Sequence, residues 1–488
     1  MHPSPLGVRR RCAVSLAAGL VGSLVAVASP SDVEGGGERQ RADPAVTRAD
    51  IEACVSTLAS DEMKGRATGT PECEKAGLYL AAGLKRAGVA PAGDDGGYTQ
   101  AVPLARVEYR SAPKLVAWTG AEQTHERVQG VDFTFAGGVA SKRGRLRVRI
   151  VTKAEQVPAE PDEELALFLD GTQREQREWL GEKRGAGFGL IVTPGSPTAG
   201  TAPDTRTPRS RDLPGEQARS SVARIQANGE LLSGLRDGTI KALRLELQSE
   251  LIERRTFNVI GKIAGVGTAE RPELAQEAIV FSAHYDHIGV DSRAAEGADA
   301  IRNGADDDAS GCAAVMELAE AFAAGPPPAR TLIFLFATGE EIGLVGTHHY
   351  INYPVAPLER TAANLNFEMI GRPDELIGGA GKLWLTGFEM SNLGPRFREL
   401  GLAIESDQRP DQNFFQRSDN YAFAVKGVVA QTLSSYNLHR DYHRVSDEPA
   451  TLDYAHMESC VRAALEGARA LADGRIDPAW APGKNPKR

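Results

Sequence analysis

The sequence has 488 residues, with 56 Lys and Arg against 65 Asp and Glu, a net charge of -9 and a pI near 5.7. Hydrophobic residues at 41% and charged residues at 25% exclude wholesale disorder, a fibrous repeat and a multi-span membrane protein. The acidic balance argues against nucleic acid as a partner, because such binders carry a basic face, and length alone suggests about three domains.

Arg9, Arg10 and Arg11 precede an uncharged Ala/Leu/Val-rich run that closes on Ala26-Val27-Ala28. This is the pattern of a secretory signal peptide over residues 1–28, which implies a secreted or periplasmic protein. A membrane anchor is the alternative, but the run is diluted by Gly and Ser and shorter than the ~20 apolar residues a span needs. No stable membrane span is therefore expected after cleavage. Cleavage would remove three arginines and no acid. Residues 29–45, with Gly35-Gly36-Gly37 between charges, read as a linker. Cys54 and Cys73 sit in one local segment and are candidates for a bridge if the chain is exported, whereas Cys312 and Cys460 lie in apolar helical patterns as buried thiols.

Helical spacing predicts helices over Arg48–Leu58 and Pro71–Ala87, the second ending at Gly88. From about 110 to 250 the pattern changes to short β-like runs, Leu146–Val151, Leu165–Leu169, Gly189–Val192 and Ala242–Leu247, separated by loops rich in Pro, Gly and charge. The segment Pro194–Pro214 is long for a loop. Beyond Phe257, apolar runs at Ala278–Ala283, Thr331–Ala337, Ala362–Phe367, Lys382–Leu385 and Gly427–Leu433 alternate with helices such as Ser310–Ala324. Continuous apolar strands with helical crossovers predict an α/β fold with a mainly parallel, mixed sheet flanked by helices. Residues past Asp477 read as a loose tail.

In such sheets ligand groups gather at the carboxyl ends of the strands. The first run ends in His284-Tyr285-Asp286-His287 and its following loop carries Asp306-Asp307-Asp308. The second ends in Gly339-Glu340-Glu341, the third in Phe367-Glu368, and Tyr442-His443 follows the last. Each piece has an ordinary reading alone. His284 fits a hydrogen-bonded core histidine, Glu340-Glu341 and the Asp run fit helix starts, Glu368 fits a strand end and His443 fits the surface. Together they supply imidazole nitrogens and carboxylate oxygens, the donor set that suits zinc. Three adjacent carboxylates also repel one another unless a cation is present.

The runs His284-Tyr285-Asp286, Gly304-Ala305-Asp306-Asp307-Asp308-Ala309-Ser310-Gly311, Gly339-Glu340-Glu341-Ile342-Gly343-Leu344-Val345-Gly346 and Tyr442-His443 resemble the two-zinc aminopeptidase family. That family also includes glutamate carboxypeptidase, glutaminyl cyclase and the metal-free transferrin receptor. The resemblance implies a zinc-exopeptidase fold with residues 46–109 as the first part of the catalytic domain and 251–475 as the remainder, leaving a 476–488 tail. Residues 110–250 resemble, less specifically, an inserted β-rich protease-associated domain, marked by the run Arg184–Val192.

Carried over residue by residue, the resemblance implies two Zn2+ ions per chain bridged by Asp307. His284 and Glu368 would complete one, Glu341 and His443 the other. Glu340 would be the general base, Asp286 would orient His284, and Tyr442 would assist the oxyanion of the tetrahedral intermediate. The resemblance also implies a cis peptide between Asp307 and Asp308. Glu368 stands where the family usually has Asp, and Asn420 where it often has His. His287 and His439 lie near these residues without being required as ligands, and His456 has no chemical neighbour in sequence. Asn413-Phe414-Phe415 fits either a substrate-pocket wall or core packing.

The expected activity is hydrolysis of N-terminal peptide bonds by a metal-activated water, with peptides as substrates. Rivals sharing the site are a carboxypeptidase or dipeptidase and a glutaminyl cyclase; a metal-free binding protein is the rival of another class.

Overall fold

A computed structural model describes residues 46–139, 144–181, 186–195, 203–204, 206–208, 210–215 and 222–487. The expected signal peptide (1–28) and linker (29–45), parts of the Pro194–Pro214 segment, and Arg184 and Gly185 lie outside the described residues.

The chain enters through two helices, Arg48–Leu58 and Pro71–Ala87, whose ends are written locally. Thr47 and Thr70 each accept a backbone N–H in the first turn, Pro71 occupies the start of the second helix, and Gly88 closes it at φ 83°. These helices pack with Gly311–Ala324 on one face of a ten-stranded sheet.

That sheet runs Ile404–Ser406, Leu383–Leu385, Val429–Ser434, Thr361–Phe367, Ala278–His284, Thr331–Ala337, Ser249–Ile263, Thr99–Tyr109 and Arg211–Pro214, with Ala90–Pro91 beside Ser249–Ile263. Its four central strands, from Val429–Ser434 to Thr331–Ala337, are mutually parallel. Both faces of these strands are covered. Ile279, Phe281 and Ala283 point into the core shared with the entry helices. Ala278 and Val280 point into a second core with Tyr350, Phe423 and Ala430. This two-sided burial explains why the strands read as unbroken apolar runs.

The sheet is mixed as expected: its centre is parallel, and at the flank Ser249–Ile263 pairs antiparallel to both Thr331–Ala337 and Thr99–Tyr109. Ser249–Ile263 and Thr99–Tyr109 form a long ribbon, in whose outer half buried Val107 and Tyr109 alternate with half-buried Arg106 and Glu108, as in a strand covered on one side.

A second sheet of eight strands lies between Lys114 and Glu246, in the order Thr124–Arg127, Lys114–Trp118, Ala242–Glu246, Leu146–Val151, Leu165–Leu169, Leu190–Pro194, Arg224–Ala227, Phe133–Gly137. It has apolar cores of its own, one around Phe168, Leu190, Ile225 and Leu243 and another around Leu167, Leu169 and Ile191. The insert is not self-contained, however. Arg211–Pro214 leaves it to pair with Thr99–Tyr109 of the main sheet.

Two further expectations are corrected. Cys54 and Cys73 are buried thiols not joined by a disulfide, like Cys312 and Cys460. Each faces the core from its own helix, where the thiol packs as a small apolar group. Residues 476–487 are held down rather than loose. Ile476 is buried, and the Asp477 carboxylate meets Arg330 at 2.5 Å and Arg271 at 2.9 Å. Trp480 Nε1 donates to the Gly427 carbonyl at 3.0 Å, and its ring packs edge-on against Phe415. Among the described residues, no helix is long and apolar enough to cross a membrane.

Candidate metal centre

The parallel strands deliver the singled-out residues to one end of the sheet. His284 is the last residue of Ala278–His284, Glu368 follows Thr361–Phe367 directly, and Glu340 and Glu341 lie three and four residues past Ala337. The loop after His284 turns because His287 N–H bonds to the Arg66 carbonyl at 3.2 Å. Arg66 itself is fully buried and donates to the carbonyls of Leu58, Tyr285, Asn303 and Gly304. It thus ties the entry segment to the loops on both sides of the centre.

The three consecutive acids diverge. Asp306 accepts from Gly371 N–H at 2.7 Å and pairs with His439 Nε2 at 3.0 Å. Asp308 accepts from Gly311 N–H and Met369 N–H, both at 3.0 Å. The Asp307–Asp308 peptide is cis. Asp307 is the one of the three that faces His284, His287 and His443, with its backbone N–H held by Asp447.

Asp307 Oδ1 lies 3.3 Å from His284 Nε2, while its Oδ2 lies 3.1 Å from His443 Nε2. His443 Nε2 is also 3.3 Å from Glu341 Oε2. One carboxylate therefore addresses two separate nitrogens, one through each oxygen. The ligand atoms of His287, Asp307, Glu341 and His443 all fall within 4.8 Å of one another. Glu368 lies close enough to His284 and Asp307 to feel both charges.

His287, read from the sequence as a bystander, belongs to this group. It is 1% exposed and its Nδ1 sits 2.7 Å from Glu341 Oε1. Its position three residues past His284, at a strand end, was the available signal. The set expected from the resemblance is otherwise brought together, with Asp286 placed differently. The backbone carbonyl of Asp286, not its carboxylate, is 3.1 Å from His284 Nδ1; the carboxylate lies at 3.8 Å. That carboxylate instead accepts from Glu340 N–H at 3.1 Å and from the Thr68 hydroxyl at 2.7 Å. Tyr442 stacks on the His443 ring with centroids 3.9 Å apart.

Several buried atoms here have no hydrogen-bond partner: His284 Nε2, both nitrogens of His287, Glu341 Oε1, Glu368 Oε2 and His443 Nε2. Buried polar groups left so cost free energy unless something else satisfies them. Two atoms bound tetrahedrally to zinc at ordinary bond lengths stand about 3.3 Å apart. The spacings of 3.1 to 3.3 Å around Asp307 match that separation. The donor set and its spacing fit zinc.

Charge follows the same geometry. Burial opposes ionisation of Asp307, but the His287, His284 and His443 rings outweigh it and hold the carboxyl well below the ordinary range. Burial and the Asp307 charge oppose Glu341, and the His287 and His443 rings still keep it below its usual value. Glu340 goes the other way, pushed well above the glutamate range by burial and by the charges of Glu368, Asp419 and Glu341. Glu368 is raised to about 7, chiefly by burial. His443 (φ 57°) and Met369 (φ 51°) hold left-handed backbone, which non-glycine residues keep mainly at functional positions.

His456 has structural partners away from this group. It accepts from Gly381 N–H at 2.7 Å and meets the Ser435 hydroxyl at 3.0 Å. Asn420 is satisfied by the Thr432 hydroxyl at 2.9 Å and donates to the Phe415 carbonyl.

The fold is similar to that of an aminopeptidase from Aneurinibacillus sp. strain AM-1, at 17% identity and a TM-score of 0.52, covering 88% of this chain and 94% of that one. A zinc aminopeptidase from Bacillus subtilis gives 15% identity and a TM-score of 0.50, covering 88% and 96%. By sequence, 80 residues are 41% identical to leupeptin-inactivating enzyme 1 of Streptomyces exfoliatus, 16% of this chain and 18% of that protein. Another 170-residue match is 25% identical to aminopeptidase YwaD of Bacillus subtilis (strain 168), 34% of this chain and 32% of that one. The chain thus spans under a third of the length of these curated relatives. Residues 258–468, which carry every singled-out strand end and the whole histidine and carboxylate group, match the sequence profile of Peptidase family M28, to which this part of the chain is similar.

Proposed function

We propose that the protein is an exported zinc aminopeptidase that hydrolyses the N-terminal peptide bond of peptides. The observation that carries this reading is Asp307, whose two oxygens face His284 on one side and His443 on the other. In this reading two zinc ions would be held by His284 with Glu368 and by Glu341 with His443, with Asp307 facing both groups and His287 packed against Glu341. Zinc held there supplies Lewis acidity to a carbonyl and makes a water acidic near neutral pH.

The protein's own groups do the rest. Glu340, with its carboxyl raised by burial and neighbouring charge, takes the proton from the attacking water and holds it for the leaving amine. Asp286 fixes the Glu340 backbone, so base and His284 are positioned by one residue. The Tyr442 hydroxyl, pushed up by burial, stays protonated and donates to the developing oxyanion. Glu368 supplies negative charge for the substrate's α-amine. The leader pattern supports export.

The test combines zinc content with cleavage of aminoacyl anilides in the presence and absence of chelator. Removing a general base costs about 10²–10⁴ in rate. Glu340→Ala that retains zinc and turns over at a near wild-type rate rules out this mechanism.

A further inference from the structure

A small cavity opens beside Glu368, walled by Trp384, Phe414 and Tyr436. Trp384 and Phe414 stack with centroids 5.0 Å apart, and Tyr436 meets Phe414 edge-on at 5.8 Å, so the wall is a packed aromatic unit. Among the described residues, Glu368 is the only anionic one lining this cavity and Arg417 the only cationic one. The Arg417 guanidinium lies over the Phe414 ring, 5.2 Å from its centroid.

Arg417 differs from its neighbours in what it lacks. Arg409 grips Asp374 through two nitrogens, and Arg372 pairs with Asp441 and Asp447. Among the described residues, no carboxylate pairs with Arg417 and its side chain makes no hydrogen bond. Stacking on an aromatic face steadies a guanidinium while leaving its N–H edge available, and that edge matches a carboxylate bidentately. The cavity is thus lined by a carboxylate for an amine and by a held, unpaired guanidinium.

We propose that Arg417 is a specificity-determining residue that binds a carboxylate of the substrate whose amine lies beside Glu368. This rests on the aminopeptidase reading above. The carboxylate has two sources, the acidic side chain of an N-terminal Asp or Glu, or the α-carboxylate of a dipeptide.

Matched substrates that differ only in that group separate the sources. In the first arm, kcat/KM is compared for glutamyl and glutaminyl anilides; in the second, for a neutral dipeptide and its C-terminal amide. The wild-type protein is expected to favour the carboxylate member of one pair by about tenfold or more. Arg417→Gln should bring that ratio close to one, with Arg417→Lys between. Arg417 is exposed, so an unchanged melting temperature checks the fold of each variant. Ratios near one in both wild-type pairs, or ratios unmoved by Arg417→Gln, overturn the proposal. Calorimetric titration with glutamate and glutamine distinguishes its failure from that of the activity. If no substrate is cleaved yet glutamate binds better than glutamine only when Arg417 is present, the aminopeptidase reading fails and the arginine's role stands. Equal binding of the two, together with equal binding of a neutral dipeptide and its C-terminal amide, overturns it.

Discussion

Replacing Arg66 with Met should destabilise the protein and loosen the metal centre, although Arg66 touches no proposed ligand. The guanidinium is fully buried and donates at 2.8 Å to Tyr285, 2.6 Å to Leu58, 2.6 Å to Asn303 and 2.9 Å to Gly304. Removing it leaves four carbonyls without this donor, at about 1–3 kcal/mol each. Against that, the buried charge has no carboxylate partner among the described residues, and its removal recovers several kcal/mol of desolvation. Four such losses total about 4–12 kcal/mol, so a net destabilisation of a few kcal/mol remains after that recovery. Tyr285 and Gly304 flank His284 and the Asp306–Asp308 run, so slack there enters the site directly. Urea unfolding should show a lower midpoint at unchanged m-value, and zinc titration a weaker dissociation constant by roughly tenfold. Arg66→Lys, with three donors for four acceptors, should fall between. Met at position 66 with wild-type unfolding midpoint and zinc affinity would refute the argument.

Three further outcomes are expected. Gly304→Ala should lower both the melting temperature and zinc affinity, because at φ 60° its Cβ would lie 2.3 Å from the Asp307 carbonyl and 2.6 Å from the His287 ring; equal zinc affinity would contradict this. Asp477 is held below the ordinary aspartate range by Arg271, with Arg330 adding to it. Its stabilisation is present above the unfolded value of about 3.9 and lost as pH falls through the folded value. Asp477→Asn should therefore melt lower than wild type at pH 7, and the gap should close on acidification below about pH 4; a gap constant down to pH 3 would count against it. Burial pushes the Cys73 thiol up to about 12. Alkylation at pH 8 followed by peptide mapping should leave Cys73 unmodified in the native protein and modified in urea, whereas native labelling would contradict its burial.

What could be read in advance depended on how local its cause was. The entry helices carried their own caps at Thr47, Thr70 and Gly88, and their limits match expectation residue for residue. The central strands declared themselves because burial on both faces removes polar residues from them. The gathering of His284, Asp307, Glu341, Glu368 and His443 followed from where parallel strands end. His287 was passed over because its approach to Glu341 depends on a loop turned by Arg66, more than two hundred residues earlier. Pairing of Arg211–Pro214 with Thr99–Tyr109 is likewise a tertiary choice with no periodic signal. The tail misled because its Pro and Lys residues read as loose, while Trp480 and Asp477 do the anchoring.

The way the second sheet is attached sets what can be done with it. Ser249–Val259 pairs without a break along Thr99–Tyr109, and Arg211–Pro214 lies against the outer side of the same strand. A two-stranded ribbon alone bends easily; a third strand across its base makes it a splint. Cutting the chain near 110 and 250 and rejoining it would therefore strip a strand from the main sheet and leave the edge of Thr99–Tyr109 bare. The insert is not a removable cassette, and a shortened chain lacking it should keep residues 211–214 or replace that edge.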